Sequence, residues 1–582
     1  MSSLYQKKIK KRTIIFTVFS LLWVTVIIFR LVQLQVLKHN QLKAEVNVQN
    51  RSIHTIQPKR GTIYDCQGEI LARSIPTPSI YYTPLKDESP EKQILKIKKL
   101  KTVISLSNQD LQKIKKRIKA DVPFIWVKRK ITPAQAQKVK KLHLKGIHFT
   151  EETKRFYPQG RLAAQILGRV DIDDSGASGV ELKYNSQLAG KKGKRLILRD
   201  AKQRKYHFET LEEPVPGNDL VLTINSTIEY IAETELAKTV REKKAKWGTV
   251  IISNPVSGEI LAMANYPTYD LNHLPSNPLL IDRIQAIHNI FDPGSTFKIV
   301  TAAAAMESKS VALDQVFDCS SQVISLAGKT FRDYHKFGLL SFPEVIIHSS
   351  NVGTIQIGQQ IDSKVLYQTI KSFGFGQKTG IDLPAEEKGL LRPPNQWSKI
   401  SKASLSIGYE ISVTALQVLQ AINTVANKGV VAKPKIVKAM LSSNKQTTGE
   451  PAYYRRVISE STANTLISIL KKAVEGGTGQ AAQIKGYNIA GKTGTAQKFN
   501  PVTGRYSSSS HTASFVGFVW DKKPIFSMIV VIDDPQGQYY GGQVSAPIWR
   551  RIASQILRYL GIPPQLEGTK TIIAANPWRL EN

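Results

Sequence analysis

The sequence predicts an α+β, multidomain protein: an N-terminal transmembrane helix, a mixed α/β domain, and a larger domain in which an antiparallel sheet is flanked by helices and carries a helical insert. Three observations predict it. An uncharged apolar run, TIIFTVFSLLWVTVIIF at residues 13–29, follows a basic N-terminus. Short strand-like pieces then alternate with charged helical segments as far as Pro214, Pro216 and Gly217. Beyond that boundary, apolar strand candidates stand at both ends of a helix-rich stretch, so one sheet is assembled from both ends of the domain.

The apolar run is at the short limit for a bilayer span, and Arg30 can snorkel while residues 31–34 extend the apolar face. Lys7, Lys8, Lys10, Lys11 and Arg12 place the N-terminus in the cytoplasm and the rest of the chain outside. No small-residue cleavage site follows the run, which favours an uncleaved signal anchor over a cleaved signal peptide. The expected division is a cytoplasmic tail at 1–12, an anchor at 13–34, an N-terminal domain at 35–216, a second domain at 217–562 and a poorly ordered tail at 563–582.

Charge is the unusual bulk property: 81 Lys+Arg against 45 Asp+Glu, a net +36. The basic residues are scattered and no nucleic-acid module is visible, so they read as solvated surface and no nucleic-acid partner is expected. Cys66 and Cys319 are the two cysteines, far apart and outside any Cys/His cluster, which argues against a zinc site or a disulfide scaffold. No metal or other cofactor is expected.

In the first domain, residues 91–119 and 133–144 read as charged, partly amphipathic helices that are solvated or partner-facing, and 124–128 and 195–199 as strands. In the second, residues 249–253 and 259–264 flank the turn at 254–259 as a hairpin, and 487–490, 514–520 and 526–532 are further strands. Residues 296–306 and 413–427 read as helices within the insert.

Three short motifs carry chemistry. In Phe291-Asp292-Pro293-Gly294-Ser295-Thr296-Phe297-Lys298, a Pro-Gly turn leads into an Ala-rich helix. Ser295 then lies in the first helical turn, where unpaired backbone N–H groups favour developing negative charge. Lys298 lies on the same face, within reach of the serine oxygen, and a desolvated neutral Lys can activate a hydroxyl. Ser442/Lys445 and Ser468/Lys471 match the same S-x-x-K spacing but lack the turn, the helix start and the apolar helix together. Ser349-Ser350-Asn351 lies between apolar segments that can bury it: a hydroxyl to relay a proton, and an amide to hold a peptide bond. Its competitor, Ser442-Ser443-Asn444, reads as a loop. Lys492-Thr493-Gly494-Thr495 follows an apolar strand and reads as a sheet edge where small Gly494 admits a ligand to the backbone. There Lys492 and the two hydroxyls suit a carboxylate, and a second cation would lower the pKa of Lys298. Lys378-Thr379-Gly380 repeats the tripeptide in what reads as a loop.

In this order, behind a membrane anchor, the motifs are a known signature. The sequence resembles class B penicillin-binding proteins, and within them the FtsI-like septal peptidoglycan D,D-transpeptidases. The likeness extends to Arg60-Gly61-Thr62-Ile63-Tyr64-Asp65, residues 124–129, Arg155-Phe156-Tyr157-Pro158 and Gly179-Val180-Glu181. Later it includes Gly380-Ile381-Asp382-Leu383-Pro384, Gly476-Gly477-Thr478-Gly479 and Tyr539-Tyr540-Gly541-Gly542.

The resemblance implies a pedestal, dimerisation-like domain at 35–216 and a penicillin-binding transpeptidase domain at 217–562. It implies that Ser295 is acylated by the penultimate D-Ala of a stem peptide, with Lys298 as base, Ser349 as proton shuttle, Asn351 on the substrate amide, and Lys492, Thr493 and Thr495 on its carboxylate. The Ser295 and Thr495 N–H groups would form the oxyanion hole. Peptidoglycan stem peptides ending in D-Ala-D-Ala, β-lactams, a FtsW-like glycosyltransferase and other divisome membrane proteins are the implied partners. The chain departs from the family at Cys66-Gln67, at Asn225 where Asp is common, and at Glu410 where Gly is usual. The nearest rival reading is an elongation-specific class B transpeptidase. A β-lactam-sensing receptor and an inactive divisome scaffold are more distant, the first usually carrying several spans and the second not accounting for an intact Ser295, Lys298 and Lys492.

Overall fold

In the computed structural model, residues 2–43, 51–85, 87–199, 205–275, 277, 282–442, 445–448, 454–500 and 502–565 are described. The tail from residue 566 onward and the Ser443-Asn444 pair therefore lie outside the described residues.

The chain divides into two units, residues 1–59 with 190–217, and residues 60–189 with 218–582. The first carries the basic-then-apolar helix Ser2–Val32, extended by a wider turn at Gln33–Leu37. It is the one helix among the described residues long and apolar enough to cross a membrane, and its side chains are exposed. The same unit has an antiparallel sheet with Gly193–Arg199 between Arg51–Ile56 and Lys205–Glu212.

In the second unit, the N-terminal part is built on the long strand Ile70–Tyr82, which pairs antiparallel with both Ile125–Lys128 and Ile147–Phe156. Alternation along the strand turns Ile80 and Tyr82 inward, onto Ile97, Leu100, Leu111 and Ile114 of the helices. The expected single helix over 91–119 is two, Pro90–Val103 and Asn108–Lys119. Ser105 takes a left-handed backbone (φ +50°), and the Ser107 hydroxyl caps the second helix by accepting the Asp110 N–H at 3.0 Å. Nor are these helices wholly solvated, since each buries one apolar stripe. Beside this core, Arg60 and Arg155 both grip buried Glu181, at 2.6 Å each. Removing one partner would strand a buried charge.

The C-terminal part holds a five-stranded antiparallel sheet, ordered Ile260–Tyr266, Trp247–Ser253, Pro524–Asp533, Arg505–Trp520, Asn488–Asn500. Two strands come from the start of the domain and three from its end, as the sequence suggested. Both faces are covered, so the strands read as continuous apolar runs. Val250, Ile252 and Phe515 pack on one side with Ile228, Leu236 and Trp549 of helices Ser226–Glu242 and Gly541–Tyr559. Ile251 and Val516 face the insert on the other, among Phe297, Val300 and Leu419. Asn225, one of the departures, caps helix Ser226–Glu242: its Oδ1 accepts the Thr227 and Ile228 N–H groups at 3.1 Å each.

Two carboxyls on that helix lie close together away from the motifs. Glu229 Oε2 accepts the Met263 N–H at 2.7 Å, and Glu233 Oε1 accepts the Ala163 N–H at 2.9 Å. Burial pushes both upward, Glu229 to about 7, and repulsion from Glu229 adds to the rise at Glu233.

Candidate active site

Pro293 and Gly294 turn the chain sharply, with Gly294 at φ +53°, and a tight 3₁₀ turn at Gly294–Phe297 runs into the Ala-rich helix Lys298–Glu307. Ser295 is therefore in the opening turn, partly exposed. In a 3₁₀ turn residues three apart eclipse, so Lys298 shares its face.

Lys298 and Ser295 face the same side of this turn. No hydrogen bond joins their side chains among the described residues. The buried Lys298 ammonium instead donates to the Ser349 carbonyl at 2.7 Å, Asn351 Oδ1 at 2.8 Å and, more weakly, Ser349 Oγ at 3.4 Å. Lys492 Nζ approaches the same hydroxyl from the edge strand at 2.8 Å. One serine oxygen thus lies between two buried amines.

Ser349 reaches that position from a left-handed backbone (φ +60°) in the link between helices Phe342–Ile347 and Asn351–Gln360. Non-glycine residues hold such a conformation only where their surroundings enforce it. Much of the enforcement comes from Asp333, which carries no motif and which sequence reasoning missed. Its buried carboxylate accepts the Ser350 hydroxyl at 2.7 Å, the Val352 N–H at 3.1 Å and the Asn351 N–H. It sits at the N-terminus of helix Asn351–Gln360, where a negative charge is favoured. The local signal is a lone acidic residue in a strand-and-turn segment, and only tertiary packing joins it to the motif.

Burial lowers the Lys298 pKa to about 7, against a smaller opposing pull from Asp333. The expected effect of a neighbouring cation is felt on Lys492 instead, held well below its ordinary value by burial first and then by Lys298. Both amines are thereby biased toward the neutral form, the state a base requires.

The strand Asn488–Asn500 is the sheet edge, as expected. Gly494 also has a packing role. A Cβ there would lie 2.4 Å from Ser514 Oγ and 2.8 Å from Thr296 Cγ2, so the glycine lets the edge strand pack against the Ser295 turn. The neighbouring hydroxyls have protein partners. Thr493 Oγ1 pairs with Thr478 Oγ1 at 2.8 Å, and Thr495 Oγ1 accepts the Gly541 N–H at 2.9 Å, leaving the Thr495 proton free to donate.

The competing motifs are elsewhere. Ser468 and Lys471 lie on helix Glu460–Glu475, Ser468 exposed and Lys471 near Glu475 at 3.8 Å. Ser442 and Lys445 oppose each other across a hairpin. Thr379 and Gly380 wrap the carboxylate of Glu386.

A serine on a helix start, beside two buried amines and a sheet edge, is the arrangement of a serine acyltransferase, and the chain belongs to the penicillin-binding protein transpeptidase family. The family model for the penicillin-binding protein transpeptidase domain matches residues 248–554, and that for the penicillin-binding protein dimerisation domain matches 55–222. Among curated relatives, the probable peptidoglycan D,D-transpeptidase PenA of Neisseria gonorrhoeae is 33% identical, covering 94% of this chain and 92% of that protein. The peptidoglycan D,D-transpeptidase FtsI of Escherichia coli K12 is 32% identical, covering 92% and 89%. Stage V sporulation protein D of Bacillus subtilis is 34% identical, covering 89% and 82%. Among solved structures, penicillin-binding protein 3 of Mycobacterium tuberculosis complexed with ampicillin has a TM-score of 0.69 at 26% identity, covering 89% of this chain and 98% of that one.

Proposed function

We propose that this chain is a membrane-anchored peptidoglycan D,D-transpeptidase whose nucleophile is Ser295. The observation that carries the reading is the meeting of Lys298, Ser349, Asn351 and Lys492 at one buried point beside the Ser295 turn. Relatives named as D,D-transpeptidases over most of their length support it.

In this mechanism Lys298, neutral in part near pH 7, takes the Ser295 hydroxyl proton as Oγ attacks the carbonyl of the penultimate D-Ala. The Ser295 and Thr495 N–H groups stabilise the oxyanion. An ester forms to Oγ, the amide C–N bond breaks, and a proton relayed through Ser349 leaves with the terminal D-Ala. Lys492 holds the Ser349 hydroxyl in register and, with Thr493 and Thr495, binds the substrate carboxylate beside Gly494, while Asn351 holds the amide. An amine from a neighbouring stem peptide then attacks the ester, forming the cross-link and returning the proton to Ser295. β-Lactams acylate the same oxygen.

We assign the helix at the N-terminus as a single-pass anchor with residues 1–12 cytoplasmic and the domains at 35–216 and 217–562 outside. A septal role in division, beside a FtsW-like glycosyltransferase and other divisome proteins, is the finer reading, supported by relatives named FtsI. The elongation role is its competitor. A fluorescent penicillin is expected to label the purified protein and not Ser295→Ala, and labelling of that variant would sink the assignment. Depletion in the source organism separates the roles, because filaments indicate division and rounding indicates elongation.

A further inference from the structure

The turn that presents Ser295 is held on its far side by residues outside the three motifs. Ile290 and Phe291 pair with Thr414 and Val413 as a short two-stranded ladder. The Gly294 N–H donates to the Gly408 carbonyl at 3.1 Å. Between these two anchor points lies Asp292, three residues before Ser295. Its Oδ2 accepts the Tyr506 hydroxyl at 2.7 Å and its Oδ1 accepts the Ser412 hydroxyl at 3.3 Å.

Tyr506 belongs to strand Arg505–Trp520, the hairpin partner of the strand that carries Lys492. Its ring meets Tyr409 edge-on at 5.1 Å and Phe499 at 5.5 Å, and its hydroxyl accepts the Glu410 N–H at 3.5 Å. The Tyr409 hydroxyl in turn accepts the Gln497 N–H at 3.3 Å, just past Thr495. Aromatic packing thus fixes where the phenol can point. One phenol–carboxylate bond then connects the segment bearing Ser295 to the hairpin bearing Lys492.

We propose that Asp292 and Tyr506 are positioning residues: their hydrogen bond latches the Ser295 turn to the Lys492 hairpin, and the adjacent Glu410 sets how firmly the latch holds. The groups facing Asp292 are Tyr506 from the hairpin and Tyr409, Glu410 and Ser412 from the loop packed against it. Glu410 occupies a left-handed position (φ +60°) and is held by the Ser401 hydroxyl at 2.6 Å. Burial, with the Glu410 charge adding to it, raises Asp292 to about 6. A hydrogen bond to an ionised acceptor is roughly twice as strong as one to a neutral acceptor, so protonating Asp292 loosens the latch.

The inference rests on Ser295 being the acylated residue. The test is the acylation rate constant at saturating fluorescent penicillin, measured from pH 5 to 8 on the intact detergent-solubilised chain. Each variant is expressed as a ratio to wild type at each pH, which divides out the common titration of Lys298. Tyr506→Phe is expected to acylate about tenfold more slowly at pH 7.5, the size of losing one hydrogen bond to a charged group. Half-saturating penicillin should stay within twofold, and the ratio should climb toward one as the pH falls to 5. Glu410→Gln is expected to match wild type at pH 7.5 and exceed it between pH 5 and 6, because Asp292 then stays ionised to lower pH. A Tyr506→Phe ratio that stays flat with pH, or equals one throughout, overturns the latch. So does Glu410→Gln indistinguishable from wild type at pH 5 to 6, which decides the matter even where Tyr506→Phe does not fold. Labelling of Ser295→Ala would instead defeat the functional reading itself, whereas a failed latch with Ser295 still labelled leaves that reading intact.

Discussion

Lys378-Thr379-Gly380 and Lys492-Thr493-Gly494 are one tripeptide in two settings. At the first, the chain is a loop, Lys378 is exposed, and the Thr379 and Gly380 N–H groups close on the buried carboxylate of Glu386. At the second, the residues lie on a sheet edge, Lys492 is fully buried, and its amine aims at Ser349. The loop copy is a carboxylate site already filled by the protein. The strand copy keeps its lysine out of water and its edge open, with Lys492 turned to Ser349 and Gly494 packed against Thr296 of the Ser295 turn. The tripeptide supplies donors, and secondary structure decides whether they serve the fold or a substrate.

The contrast breaks most sharply at the lysines. Lys492→Ala is expected to slow penicillin acylation by about 10²-fold or more, the range for losing a positioned proton-transfer group, while Lys378→Ala stays within about twofold. Stopped-flow acylation of both variants measures this, and comparable losses would end the distinction. The strand site should also answer to pH. Lys298 loses its proton through about pH 7, so acylation is expected to fall close to tenfold per pH unit below that and to level off above it. A profile flat from pH 5 to 8 would remove Lys298 as base.

The glycines sharpen the comparison at a smaller scale. Gly494→Ala puts a methyl against Ser514 and Thr296 and is expected to cost roughly 1–3 kcal/mol of stability with about a tenfold loss of acylation. At Gly380 the nearest atom is the flexible end of Lys433 at 3.3 Å, so Gly380→Ala meets only the strain of φ +80°, roughly 1 kcal/mol, with acylation unchanged. Thermal melts alongside acylation rates separate the two. The smallest effect on chemistry is expected from Glu386→Gln. It weakens the bonds to Thr379 and Gly380, lowering stability by about 1–2 kcal/mol in a denaturant titration while leaving acylation at wild-type rate.

What could be read in the sequence was whatever depends on neighbours along the chain. Ser295 was separable from two other S-x-x-K matches because turn, helix start and apolar helix are adjacent in sequence. The split sheet was legible because both of its ends are continuous apolar runs. The helix break at Ser105 had a local signal too, the Ser107-x-x-Asp110 cap, masked by the lysines and isoleucines on either side of it. Asp333 stood in no motif, since only tertiary packing brings it to its hydrogen-bond partners Ser350 and Val352. The cause of the Lys298 shift was hidden for the same reason: burial is a property of the whole insert, and a nearby cation in a motif is easier to see. Gly494 is a third case, marked in the sequence for ligand access, with a packing contact to Thr296 that the sequence did not show.

The carboxyl pair on helix Ser226–Glu242 has a thermodynamic consequence of its own. Glu229 titrates at about 7 in the fold, against an ordinary value of 4.5, so near neutrality the folded chain retains a proton that the unfolded chain has released. The stabilisation from that proton is complete below 4.5 and drains away as the pH rises through 7. Acidification, which loosens proteins whose carboxylates are held ionised by salt bridges, here relieves the burial cost and mutual repulsion of Glu229 and Glu233. Here the proton behaves as a bound ligand, and mildly acidic surroundings keep its site occupied.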